Sequence, residues 1–307
     1  MELRHLRYFV AVAEERNFTR AAERLNMAQP PLSRQIQQLE EMLGVQLLER
    51  NSRPVKLTDT GKFFYSHAAQ LLSQTADLES MTRRVGNIER SLSVGFVGST
   101  LYGMLPKIIR RFRDENTTVE LSLHEMSTMD QISALKGGRI DVGFGRIRHE
   151  DATIRRVILR EEKMIVAFPE GHPLSLAKPV VALSDLVNET LIIFPKAPRP
   201  SYADQVLAAF DDRGLKPRRI YEVRELQIAL GLVAAGEGIS VVPSSVHGLK
   251  RDDVSYKELD DPTLVSPIIM SMRALDESRD IREMLELIYR LYDEAKIPHT
   301  PRTDRAP

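Results

Sequence analysis

Gln29, Ser33, Arg34 and Gln37 fall at spacings that put them on one face of a helix. Their amide, hydroxyl and guanidinium groups match the edges of bases and the oxygens of phosphates. The opposite face carries Leu32, Ile36, Leu39 and Leu43, an apolar stripe that seats the helix on a core. Pro30 and Pro31 suit the first turn, where no backbone N–H is required and φ is already near its helical value. A second group of polar residues lies farther on. Ser99-Thr100 and Ser127-Thr128 each follow a strand and open a helix, and Phe144-Gly145-Arg146 ends a third strand with a cation. Hydroxyls and free amides at a helix N-terminus hold an anion well, although capping the helix is their commonest use. Two such places in one cleft suit a ligand with two carboxylates. The loop from Pro195 to Tyr202, including Pro200, faces them from a later strand end, and Tyr202 can cover a ligand's carbon chain.

The elements that position these groups follow from hydrophobic spacing. Leu6, Phe9, Val10 and Ala13 form the inner face of a first helix. Asn17 to Leu25 forms a short second helix, with Thr19 near its start and small Ala21 and Ala22 allowing close packing. The turn Asn26-Met27-Ala28 then leads into the polar-fronted helix, which completes a helix-turn-helix. Val45–Leu48 and Val55–Thr58 are expected to pair as a wing, with Arg50 and Arg53 near its tip facing a phosphate backbone.

From Thr58 to Ile88 runs a proline-free stretch in which Phe64, Ala68, Leu71, Thr75, Leu78, Thr82 and Val85 repeat at steps of four and three. That heptad pattern predicts a long linker helix pairing with its copy in a dimer. From Arg90 onward strands and helices alternate: Leu92–Val97, Leu105–Arg113, Val119–His124, Met129–Lys136 and Ile140–Phe144, then a second group from Met164 to Val242. The order predicts mainly parallel sheets with helices on both faces. Two crossings near Lys163 and Ser266 divide the region into two lobes around a cleft. The predicted divisions are a DNA-binding domain at 1–58, a linker helix at 59–89 and a cleft domain at 90–307. Within the last, lobe I comprises about 90–162 and 267–296, lobe II about 163–266, and 297–307 is a disordered tail.

Composition narrows the function. The 307 residues include no cysteine, which excludes disulfides and thiolate metal sites and suits a reducing cytoplasm. No apolar run approaches the roughly 20 residues of a membrane span, and Met1 to His5 lead directly into the first helix with no signal-peptide core. Net charge is zero, and residues 1–57 hold nine Lys or Arg against seven Asp or Glu. Affinity for DNA therefore rests on placed side chains and on doubling the domain in a dimer. There is no Gly-x-Ser-x-Gly nucleophile setting, no metal-spaced His/Asp/Glu cluster and no dinucleotide fingerprint, so neither an enzyme nor a cofactor is expected. The clamshell alone would also suit a solute-binding protein. The N-terminal helix-turn-helix argues against that alternative.

Phe9-Val10-Ala11-Val12-Ala13-Glu14, Phe18-Thr19-Arg20-Ala21-Ala22, Gln29-Pro30-Pro31-Leu32-Ser33-Arg34-Gln35-Ile36 and Leu47-Leu48-Glu49-Arg50 resemble the N-terminal domain of LysR-type transcriptional regulators. Gly95 to Ser99, Gly138 to Arg146 and Ala229 to Ile239 are similar to the subgroup that controls benzoate and catechol degradation and responds to cis,cis-muconate. The resemblance implies an α/β fold class: a winged helix-turn-helix, a long linker helix and a two-lobed effector domain like that of periplasmic binding proteins. It implies an operator of double-stranded DNA, a dicarboxylate effector, a dimer or tetramer, contact with RNA polymerase, and action as an activator. It also implies that Ser99, Thr128, Pro200 and Tyr202 line the muconate cleft, with Tyr202 replacing the phenylalanine common there. Arg160, Glu225 and Tyr292 match positions where some relatives place an aromatic acid such as benzoate. An interior Arg–Glu ion pair capped by a tyrosine accounts for the same three residues.

Overall fold

Leu3–Glu15 (α1), Phe18–Arg24 (α2) and Gln29–Leu43 (α3) form where the apolar spacing is helical, and each ends on a turn with a local cause. Arg16 and Asn26 adopt the left-handed region, as does Gly44 after α3. The Asn17 side chain accepts from the Thr19 and Arg20 amides, capping α2. The computed structural model describes residues 1–49, 54–85, 90–249 and 251–302. It divides into two units, Met1–Ile88 and Glu89–Pro307.

In the first unit Leu6, Phe9, Val12, Ala21, Leu32, Ile36 and Leu39 close one core, and Asp59–Val85 (α4) lies against it. At 27 residues α4 is about 40 Å long. The expected heptad stripe divides in two. Phe64 and Ala68 pack into this unit's own core, with the Phe64 ring edge-on to Phe9 at 5.2 Å, whereas Leu71 and Leu78 are exposed. Leu43, expected in the apolar face of α3, is exposed because the helix ends there. The wing consists of an antiparallel bridge between Leu48 and Leu57, flanked by Glu49 N–H to Lys56 O at 2.9 Å. Its tip, with Arg50 and Arg53, lies outside the described residues. The buried Glu40 carboxylate accepts from the amides of Leu47 and Leu48, at 2.7 and 3.1 Å, and so ties the wing to α3.

The second unit begins with Ser91–Phe96 (β1), Leu105–Glu115 (α5), Glu120–Glu125 (β2), Thr128–Lys136 (α6) and Val142–Gly145 (β3). Ile154–Pro169 (β4) leads to Pro173–Ala177 (α7), Val180–Val181 (β5), Thr190–Ile193 (β6), Tyr202–Asp211 (α8), Arg219–Glu222 (β7), Leu226–Ala234 (α9), Ser240–Pro243 (β8) and Val254–Leu259 (β9). Val265–Arg273 (β10) and Arg279–Glu294 (α10) complete it. The strand order is β2-β1-β3-β10-β4-β9-β5, with β8 also on β4, and β6 pairs with β7 apart from that sheet. The sheet is mixed, not mainly parallel. β1 runs parallel to β2 and β3, but β10 and β4 return antiparallel. Up to Lys163, β4 pairs with β10; beyond it, β4 pairs with β8 and β9.

Separate cores lie on the two sides of that change. Lobe I packs around Val94, Ile108, Phe112, Met270 and Ile288, and lobe II around Phe168, Ile192, Phe210, Leu230 and Val242. The first part of the expected tail is anchored. Ile297 joins the lobe I core, the Thr300 amide donates to Leu159 O at 3.0 Å, and Arg302 pairs with Asp293. Residues 303–307 lie outside the described residues.

Candidate functional site

Two surfaces bring together the side chains singled out by chemistry. On the first unit, α3 buries Leu32, Ile36 and Leu39 and turns Gln29, Pro30, Pro31, Arg34 and Gln37 outward, with Ser33 half-buried. Thr19, at the start of α2, is also exposed. Arg34 makes no ion pair among the described residues, so its guanidinium is open to an external acceptor. A convex helix N-terminus with two amides, a hydroxyl and a free guanidinium is the geometry of a major-groove reader.

The second surface is a cavity of about 260 Å³ between the lobes, the size for a small organic acid. Ser99, Thr128 and Arg146 line it from lobe I; Pro200 and Tyr202 line it from lobe II. Ser127 is an ordinary cap, its Oγ accepting from the Asp130 amide at 3.1 Å. Thr128 follows it in the first helical position, and its Oγ1 accepts from the Arg146 amide at 3.3 Å. That approach requires Gly145, where a Cβ would lie 2.8 Å from Thr128 Oγ1. Ser99 sits in a short 3-10 turn, Gly98–Tyr102, where the sequence suggested a full helix start. Its Oγ accepts from Arg146 Nε at 2.8 Å. Both hydroxyls accept from the arginine and keep their own O–H for a ligand.

Arg146 has a side chain only 3% exposed, and Nη2 donates to Glu162 at 2.7 Å. Burial opposes ionisation of Glu162, but the Arg146 charge, a hydrogen bond from Ser245 and the Arg160 charge together hold its carboxyl below the usual range. Two guanidiniums thus share one carboxylate beneath the cleft, where Arg146 alone of the three reaches the cavity, Arg160 Nη2 lying 3.4 Å from Glu162. The rim is different: Glu125, Asp130, Arg224 and Glu225 line it exposed to water.

Other expectations are corrected. Phe144 does not reach the cleft. Its ring is buried in the lobe I core, against a small void shared with Ile108, Leu159 and Tyr292. Arg160, Glu225 and Tyr292 do not form one pocket. Glu225 precedes α9 and lines the main cleft, while Arg160 pairs with Glu162. The void beside Tyr292 is about 10 Å³, room for about one water and not for an aromatic ring. Burial pushes the Tyr292 phenol up to about 12, so it remains a neutral core hydroxyl.

Three residues absent from the sequence reading complete the site. Glu162 neutralises its floor. Gln205, one turn into α8, donates to the Arg146 carbonyl at 2.6 Å and accepts from Ser266 Oγ at 2.9 Å, joining both lobes to a crossing strand. Gln227 donates to Tyr102 Oη at 2.7 Å between the start of α9 and lobe I. A glutamine on a helix has no local signal that separates such bridges from surface residues.

Two family models cover most of the chain: "Bacterial regulatory helix-turn-helix protein, lysR family" over residues 3–62 and "LysR substrate binding domain" over residues 86–292. The HTH-type transcriptional regulator BenM of Acinetobacter baylyi is 50% identical over 95% of this chain and 96% of its own length. Full-length CbnR in complex with its target DNA superposes with a TM-score of 0.73 at 33% identity, covering 94% of this chain and 99% of that one. The BenM effector-binding domain with its effector benzoate matches at a TM-score of 0.67 and 41% identity, over 70% of this chain and 98% of that one.

Proposed function

Since the chain belongs to the LysR family and is a DNA-binding transcriptional regulator with an effector-binding domain, we propose that it activates genes of benzoate and catechol degradation in response to cis,cis-muconate or a similar dicarboxylate. The observation that carries this reading is the meeting of Ser99, Thr128, Arg146, Pro200 and Tyr202 in one small cleft. One carboxylate sits on the Ser99 and Thr128 hydroxyls beside the Arg146 charge. The other reaches the Pro200–Tyr202 side, and the hydrocarbon between them passes over the apolar wall. The exposed face of α3 takes the operator's major groove, with Gln29, Ser33, Arg34 and Gln37 at base edges and phosphates. Exposed Leu71 and Leu78 on α4 pair with a second copy, so that two reading helices meet two half-sites. A tetramer, contact with RNA polymerase and a cytoplasmic location complete the proposal. Ligand shifts the lobe arrangement only by its differential affinity for the two states.

The test is calorimetric titration and thermal shift with cis,cis-muconate, chloromuconates, benzoate and unrelated dicarboxylates, on the parent protein and on Ser99→Ala/Thr128→Ala. A ligand that binds only the folded state raises the melting temperature. Muconate is expected to bind the parent and fail on the double variant, while operator binding persists. Preferential binding of a chloromuconate or benzoate moves the effector assignment to that acid. A double variant that still takes muconate normally places the ligand elsewhere.

A further inference from the structure

The chain reverses after α10. Lys296 takes the left-handed region, the Ile297 amide donates to Tyr292 O at 2.9 Å, and residues 297–302 return along lobe I as a strap. Ile297 packs on the lobe I core, and the Thr300 amide reaches Leu159 O at 3.0 Å. That carbonyl is free of the ladder for a local reason. The β4–β10 register slips between Ile268, which pairs with Arg160, and Ile269, which pairs with Ile158, so Leu159 is the extra residue of a bulge. Thr300 Oγ1 adds a bond to Ile158 O. The strap thus fastens onto the strand that joins the lobes, one residue before Arg160.

His299 holds the other side of the strap. Its Nε2 lies 2.9 Å from Asp293 Oδ1, in the last turn of α10, and its Nδ1 lies 2.7 Å from Thr300 O. Both partners are acceptors, a carboxylate and a carbonyl. Only the imidazolium carries an N–H on each nitrogen; a neutral ring turns a lone pair toward one of the two oxygens. The place also favours a cation. The last turn of α10 has no basic residue, and Asp293 and Glu294 add negative charge at the negative end of the helix dipole. The titratable and charged groups around the ring are Asp293, Tyr289 and Tyr292 from α10, Arg302 from the strap and, acting on Tyr292, Arg160 and Glu162 from β4. The Asp293 hydrogen bond, then the Thr300 carbonyl, hold the imidazole above its ordinary value against partial burial and the Arg302 charge.

We propose that His299 is a protonation latch, a regulatory device separate from the effector cleft: its imidazolium ties the strap 297–302 to the last turn of α10 and keeps Thr300 on the β4 bulge, and loss of the proton releases the strap. A group whose folded value is raised contributes fully below its ordinary value of about 6.5, and that contribution is lost as pH rises through the folded value. The strap is therefore closed in mild acid and opens on the alkaline side, baring the Tyr289 and Tyr292 rings and the Leu159 carbonyl.

Hydrogen exchange of the full-length protein, read by mass spectrometry on the peptide 297–302 and corrected for the intrinsic rate, tests this from about pH 5 to about 9. Pro298 and Pro301 carry no amide, and the bonded Thr300 amide is the reporter. In the parent its protection is expected to fall roughly two- to fivefold as pH rises, the range of a half-exposed charged pair. His299→Asn is expected to give low protection that no longer varies with pH. Asp293→Asn keeps the ring packing and should show a smaller fall. Arg302→Ala leaves both acceptors of His299 in place and should keep the full pH dependence. All three positions lie at the strap or the helix end, partly or fully exposed, so each variant is expected to fold. Parent protection that does not change with pH, or a His299→Asn strap that loses protection as the parent does, overturns the latch.

Discussion

Glu162→Gln probes the electrostatic floor of the cleft most directly. The Glu162 side chain is 1% exposed and accepts from the Ser245 amide at 2.6 Å and Arg146 Nη2 at 2.7 Å, with Arg160 Nη2 at 3.4 Å. Glutamine preserves the shape and can keep the Ser245 bond through its carbonyl. Its amide nitrogen then meets a guanidinium, donor against donor, and two arginines lose their counter-charge. Removing one partner of a buried ion pair costs about 3–5 kcal/mol, and the surviving bond puts this case near 3 kcal/mol. In a unit of this size each kcal/mol is worth about 2–4 °C, so the melting temperature should fall by roughly 6–12 °C. The pH dependence gives a second readout. The folded-state carboxyl is held below its ordinary value, so its contribution is fully present above about pH 4.3 and is lost as pH falls through the folded value. The gap between parent and variant should therefore hold from pH 7 down to about 5 and close only below about 4. Denaturant titration of the full-length chain followed by far-ultraviolet circular dichroism measures it. A gap under about 1 kcal/mol at pH 7, or one unchanged at pH 3, would refute the assignment of Glu162 as the buried counter-charge.

Two further substitutions separate the DNA-reading face from its mounting. Arg34→Ala should weaken operator binding by about 1–3 kcal/mol in fluorescence anisotropy while calorimetric effector binding is unchanged, because Arg34 is exposed and supports no core. Unchanged operator affinity would remove Arg34 from the contact set. Gly61→Ala brings a Cβ to 2.0 Å from Leu47 O, a backbone atom that already accepts from the Thr58 amide. It should force α4 away from the wing, cost more than about 2 kcal/mol in the first unit's melting transition and abolish operator binding, with the second unit's transition unaffected. Normal melting of the first unit would show that α4 and the wing tolerate separation.

The sequence made the reading helix legible because its signals are local: two prolines in the first turn, an apolar stripe and polar residues on the opposite face. The cleft hydroxyls were legible for a similar reason, since Ser99 and Thr128 each come three residues after a strand ends. Phe144 was misassigned because β3 is buried on both faces and alternation cannot then tell core from cleft. Glu225 and Arg160 were separated by tertiary packing that no spacing encodes, and Arg160 found Glu162 two residues along its own strand. The antiparallel return of β10 hid behind the alternation of strands and helices, which specifies neighbours in sequence but not direction in the sheet. Gln205 and Glu162 matter through groups that arrive from distant segments, and a single sequence carries no mark of that.

The passage of β4 from one lobe to the other has a mechanical consequence. β4 and β10 lie hydrogen-bonded side by side where the lobes meet, with Lys163 opposite Val265 and Glu162 opposite Ser266. Two strands zipped into a ribbon resist bending in their own plane, since that stretches one backbone and compresses the other, but they yield to twist. Motion of lobe II against lobe I that keeps the strands paired is therefore confined to twisting this ribbon or bending it out of its plane, and the ribbon is the axis of either motion. The ionic floor is bolted to the axis itself, because Glu162 is a β4 residue and Ser266, which holds Gln205, is its pairing partner. On the function proposed above, a negative charge arriving beside Arg146 acts at that axis, where a small change in angle displaces the lobe margins most.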